Sequence, residues 1–262
     1  MKKQIALILS LLLVVCVFGC TAEATIPEVP ETSASDDSAF ILQERFDMAS
    51  AYVESLFDAS KTEVQTDTED PEYPQRYWYF SGPADGVNIP ETVTVDGKSI
   101  VIGQTTVKEL KELGFTVETS MDTVEPNTVL SFSIIDGRKK LVLTIAPNGT
   151  DQSIPFDDAI IAGFTGSFSA YSMPFGYAGI TEASTLKDVI SAFGIEAGET
   201  VIGLVADTTD TEITVHMFNL VQNGDTETNK SLDITLRYSA SENIAKVTNV
   251  TLNIDAHPIP EE

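Results

Sequence analysis

The run KVTNVTLNI at residues 246–254 alternates with period two. Val250, Leu252 and Ile254 fall on one side, and Asn249, Thr251 and Asn253 on the other. A segment of this kind buries one face of a strand and leaves the other in water. It therefore needs a second layer against its apolar side. The run AIIAGFTGSFSAY, residues 159–171, alternates in the same way. It sets Ile160, Phe164 and Phe168 against Thr165, Ser167 and Ser169. EITVHMFNL, SLDITLRY, VLSFSII and KLVLTI add further strands. Asp96-Gly97 and Asp136-Gly137-Arg138 supply hairpin turns between such runs.

Three segments read as helices. Residues 39–59 lack Gly and Pro, and Ile41, Phe46, Met48, Tyr52, Leu56 and Phe57 fall near one stripe. Asp36, Asp37 and Ser38 are N-cap residues for it. Residues 105–115, TTVKELKELGF, begin with a capping box from Thr106 to Glu109 and stop at Gly114. Residues 179–195 repeat that grammar, with Thr185-Leu186-Lys187-Asp188-Val189 over Thr106-Val107-Lys108-Glu109-Leu110. The expected fold class is α+β: an N-terminal helix, then two tandem modules, each a short helix packed on an antiparallel sheet. The expected boundaries are 39–86 for the helix and an aromatic strand, 87–171 and 172–255 for the modules, and 256–262 for a tail. Residues 60–74 read as a polar, acidic loop.

Arg76-Tyr77-Trp78-Tyr79-Phe80 is strand-forming, so Tyr77 and Tyr79 share one face and Trp78 and Phe80 the other. One pair is core and the other is a sticky surface. Phe168, Tyr171, Phe175 and Tyr177 cluster between the modules and read as packing between them.

The N-terminus gives the address. Lys2 and Lys3 precede an apolar run from Ile5 to Phe18, too short for a comfortable membrane span, and the run ends in Gly19-Cys20. This resembles the lipobox of bacterial lipoprotein signal peptides. The resemblance implies that residues 1–19 are removed and that Cys20 carries lipid on the extracytoplasmic face of a bacterial membrane. Two acyl chains give lasting attachment. Residues 20–38 are rich in Pro, Ser, Thr, Asp and Glu and read as a disordered tether. Cys16 lies in the discarded part, so the mature chain has no disulfide and depends on its core.

The formal charge is −25. Residues 1–19 hold Lys2 and Lys3 and no acid, so the mature charge is −27. Such a chain is a poor nucleic-acid binder, because phosphate neutralisation needs clustered cations. The acid serves solubility.

The helix TLKDVISAFG followed by a meander is similar to tandem repeats of the β-lactamase-inhibitor-protein-like superfamily. That resemblance implies a helical element on a four-stranded antiparallel sheet whose open face binds protein. The disulfides of the family's inhibitors have no counterpart here, and no functional residue of the family maps onto a matching position.

Catalytic equipment is sparse. The histidines are His216, an ordinary strand residue in TVHMF, and His257 near the end. There is no His-x-x-x-His pair, no Gly-x-Ser-x-Gly elbow and no phosphate-binding loop. Asp207, Asp210 and Glu212 have oxygen-ligand spacing, but they lack an EF-hand loop and read as a solvated turn. No metal or cofactor is expected. The leading expectation is a lipid-anchored binding protein without catalytic activity, docking a protein or glycan on sheet faces through Tyr77, Tyr79, Thr165, Ser167 and Ser169. The alternative is a cell-surface polysaccharide hydrolase using paired carboxylates. The two differ in whether two acids face each other across a cleft.

Overall fold

Strands dominate the computed structural model: about half of the described residues are strand and 18% helix. It describes residues 34–258 apart from 68, 71–72, 83–86, 147–151, 197–198, 208 and 224–225. Cys20, the lipobox and most of the tether lie outside the described residues.

Helix α1 spans Ala34–Glu54 and is followed by strands β1 (Glu63–Asp67) and β2 (Gln75–Ser81). The hairpin β3 (Thr92–Val95) and β4 (Lys98–Val101) leads to helix α2 (Val107–Glu112). Then come β5 (Thr116–Glu118), β6 (Thr123–Val124), β7 (Leu130–Asp136), β8 (Lys139–Ile145), β9 (Ile154–Pro155) and β10 (Ile161–Ser167). After the short β11 (Phe175–Gly176) and helix α3 (Leu186–Phe193) follow β12 (Glu199–Ala206), β13 (Thr211–Asn223), β14 (Thr226–Ser239) and β15 (Ile244–Pro258).

Ten strands form one sheet in the order β1-β2-β12-β13-β14-β15-β10-β8-β7-β5. Every neighbouring pair in it is antiparallel. This corrects the α+β expectation of two modules with separate sheets. α2 is followed by β5, β7, β8 and β10, and α3 by β12 to β15. The last strand of each series pairs with the other, Thr165 opposite Thr251. The physical reason is edge satisfaction: a four-stranded sheet ends in a row of unpaired N–H and C=O groups, and β10 and β15 satisfy each other's. β2 extends the same sheet by pairing with β12, and β1 by pairing with β2. The segment read as an acidic loop thus contains β1, and β15 runs into the expected tail as far as Pro258.

The helices cover one side of the sheet. α1 buries Leu42, Phe46, Ala49 and Val53 and leaves Ile41 and Met48 exposed, so the true stripe is offset from the expected one. It starts earlier than residue 39 and ends earlier than 59. Asp36, Asp37 and Ser38 lie inside it rather than capping it. Trp78 is fully buried beneath it and donates Nε1–H to Glu54 Oε1 at 3.3 Å. Phe57 meets the Trp78 and Phe80 rings edge-on. The Arg76 guanidinium lies 5.3 Å from the Phe46 ring centroid. Val250, Leu252 and Ile254 are buried on the same side. The expected row Ile160, Phe164 and Phe168 is broken, because a register shift between Ile161 and Gly163 turns Ile160 outward.

Local signals hold. Asp96 and Gly97 both have positive φ, as a tight hairpin turn demands. Thr106–Glu109 and Thr185–Asp188 are both reciprocal capping boxes. At α3 the Thr185 N–H donates to Asp188 Oδ2 at 2.8 Å, and Asp188 N–H donates to Thr185 Oγ1 at 3.3 Å. The Thr185 backbone and hydroxyl hold the Asp188 carboxyl below the ordinary carboxylate range. Asp188→Ala, which removes the carboxylate, is expected to cost about 1 kcal/mol in urea unfolding at neutral pH. Because the folded pKa is the lower one, this contribution is present above the unfolded value of about 4 and fades as pH falls through the folded one. Parent and variant unfolding curves should therefore converge on acidification; a constant gap would refute the carboxylate's part in the cap.

Candidate functional site

The side of the sheet away from the helices is open. Its register can be followed strand by strand. Glu63, Tyr79, Val201, His216, Asp233, Thr251, Thr165, Val142, Ser133 and Glu118 are successive partners across all ten strands. None of the ten is buried. Their sequence neighbours on the central strands, such as Trp78, Ile202, Val215, Leu232, Leu252 and Phe164, are buried on the helix side. The face exists because each strand alternates, and because the registers keep the alternation in phase from edge to edge.

Four of the five expected binding residues lie on this face. Tyr77 and Tyr79 are half-buried on β2, with ring centroids 6.4 Å apart, while Trp78 and Phe80 are core. Thr165 and Ser167 lie on β10. The sheet order puts β12, β13, β14 and β15 between β2 and β10, a separation of about 24 Å at the usual strand spacing. The tyrosines and the hydroxyls are thus two ends of one surface and not one pocket. Ser169 follows the end of β10 and lies in the turn whose carbonyl accepts from Ser172 N–H.

Tyr77 packs over Gly203, its register partner on β12. A Cβ at Gly203 would come within 3.2 Å of the Tyr77 ring. The glycine lets the ring lie against the backbone, and the Tyr77 hydroxyl hydrogen-bonds Gln75 Oε1. Farther along the face Phe218 and Leu220 of β13 are exposed. At the seam Thr251 Oγ1 is 3.3 Å from Thr165 Oγ1.

His216 is a mid-strand residue of β13, as expected, and has a charged cross-strand partner. It stands near the middle of the face, with Nδ1 2.8 Å from Asp233 Oδ1. Both side chains are about one-third exposed, at 36% and 37%. The carboxylate fixes the imidazole's orientation, as in a nucleophile–base–orienter set. Such a set also needs a hydroxyl or thiol on the far side of the ring. The β12 residues there are Glu199, Val201 and Gly203, which offer none. The arrangement presents a positioned hydrogen-bonding group on the open face. The outward phase of each residue is readable from its strand's alternation, but their pairing depends on the register of β13 on β14.

A groove of about 850 Å³ lies beside the seam, where residues 167–182 cross between the two strand series. Phe168 stacks on Phe175 at 4.6 Å, and Tyr177 packs on Phe164 and donates its hydroxyl to the Pro90 carbonyl at 2.9 Å. Burial pushes the Tyr177 phenol pKa up, so it stays a donor throughout the physiological range. Tyr171 projects into solvent. Glu182 is the carboxylate among the groove's lining residues.

The turn at Asp207 and Asp210, read as solvated, is closed by its own bonds. Asp207 Oδ1 accepts from Thr209 N–H and Asp210 N–H at 2.6 Å each, which draws its pKa down. Asp210 pairs with Arg237 at 2.8 Å. Among the described residues no group of three His, Cys, Asp or Glu is placed to hold a metal. No described helix is long and apolar enough to cross a membrane. No family model, curated protein sequence or solved structure matches the chain.

Proposed function

We propose that the chain is a lipid-anchored extracytoplasmic binding protein that docks a macromolecular partner on the open face of its sheet. The observation that carries this reading is the unbroken row of exposed and half-exposed side chains across ten strands, opposite a face sealed by helices. Short hydroxyl and β-branched side chains make such a face rigid, so docking orders few rotamers. Half-exposed Tyr77 and Tyr79 and exposed Val142 and Phe218 supply the apolar contact that binding centres use. The anchor rests on Lys2, Lys3, the apolar run and Gly19-Cys20. The hydrolase alternative needs two carboxylates across a cleft. Among the described residues the groove beside the seam has Glu182 as its one lining carboxylate, and the depression beside α2 holds Glu109 and Glu112 side by side on one helix rather than facing each other.

The test uses the full chain in its native envelope. Photo-crosslinking residues at Phe218 and Val142 are expected to capture a partner, and one at Met48 on α1 is not. Cys20→Ala should shift the protein from the membrane to the soluble fraction. Equal capture from Met48 would refute face-specific docking, and a correctly trimmed, membrane-bound Cys20→Ala chain would refute the anchor.

A further inference from the structure

We propose that the β1–β13 half of the open face receives a basic segment of a protein partner, rich in Arg or Lys. This rests on the docking reading and adds the partner's chemistry. The outward positions of β1, β2, β12 and β13 include Glu63, Asp67, Glu199 and Glu212, all exposed. No Lys or Arg occupies an outward position on those four strands. Among the described residues none of these four acids lies within ion-pair distance of a Lys or Arg. The cations of the face begin on β14 and β15. There Arg237 and Lys246 are each already matched, at 2.8 Å, by Asp210 and Glu242. His216, the one basic group in this half, is held by Asp233.

The acids surround an aromatic floor. Tyr77 and Tyr79 present half-exposed rings between Glu63 and Asp67 on one side and Glu199 on the other. A guanidinium stacks on a tyrosine face and reaches neighbouring carboxylates with its N–H fork. The four strands span about 14 Å, which suits a short extended segment. The surplus of acid would also steer a basic partner to this end before contact. An acidic partner or a nucleic acid would meet repulsion in the same place.

The probe is a short fluorescent Arg-Gly repeat peptide, titrated into the full-length, detergent-solubilised protein at physiological salt. Glu199→Lys with Glu212→Lys is expected to weaken binding about tenfold, and Tyr79→Ala by several-fold. Glu44→Lys with Glu112→Lys changes net charge equally on exposed helical sites outside the sheet and should change binding less than about twofold. Circular dichroism confirms that each variant is folded, and hydrogen-exchange protection by the peptide reports the site in the parent protein. Equal weakening by both charge pairs would show diffuse attraction and overturn the inference. So would soluble glycan binding at Tyr79 that is indifferent to the Glu199 and Glu212 reversal. If Phe218 still crosslinks a partner while the reversal leaves peptide binding unchanged, the basic-segment inference alone falls. If Phe218 crosslinks nothing, the docking reading falls.

Discussion

Trp78→Ala is expected to lower stability by about 3–5 kcal/mol, a large share of what a domain of this kind possesses. Trp78 has no exposed surface, lies edge-on to Phe57 and hydrogen-bonds Glu54 at the end of α1. Its removal opens a cavity between α1 and the sheet and leaves Glu54 without that donor. Trp78 is the single tryptophan, so urea unfolding must be followed by circular dichroism rather than indole fluorescence. Tyr79→Ala, one residue along but on the open face, should cost less than about 1 kcal/mol. Equal losses would mean that both side chains are core, and the face assignment would fail.

Gly163→Ala is the second large effect, at about 1–3 kcal/mol. A Cβ there would stand 2.7 Å from the Leu252 carbonyl oxygen and 2.5 Å from Asn253 Oδ1. The asparagine can turn away, but the carbonyl belongs to the β15 backbone. β10 must therefore move off β15, and both strands should lose amide protection together in hydrogen exchange. The ladder between β12 and β13 should keep its protection. An unchanged midpoint with unchanged exchange would mean that the seam has slack which this close approach denies.

Local chemistry was legible in the sequence. The Asp96-Gly97 turn and both capping boxes are set by residues within four positions of each other, so no distant contact can revise them. The parity of Tyr77 and Tyr79 against Trp78 and Phe80 was legible too, because a strand's period is two. Which strands share a sheet was not. Thr165 meets Thr251 across 86 residues, and nothing in either run names the other. The same limit hid the exposed β1, whose five residues are polar enough to read as loop and become strand by pairing with β2. β12 is hard to read in the sequence because Gly203 weakens its pattern, and at that glycine the Tyr77 ring lies against the backbone. His216 and Asp233 each looked unremarkable; their pairing needed the register of β13 on β14. Of the binding residues, the outward phase of Thr165 and Ser167 was readable, while their distance from the tyrosines was not.

The seam between β10 and β15 also sets a schedule. β10 leaves the ribosome 86 residues before its partner, roughly 4–17 s at ordinary elongation rates. Throughout that interval β5, β7, β8 and β10 can assemble only as a sheet with an open side. β2 waits as well, since β12 follows much later. Pairings so distant along the chain are slow to form and leave sticky edges uncovered meanwhile. The molecule's architecture therefore favours a chain that is kept from folding until its last strands are available, and a nascent or truncated form ending before β15 should be the species that aggregates.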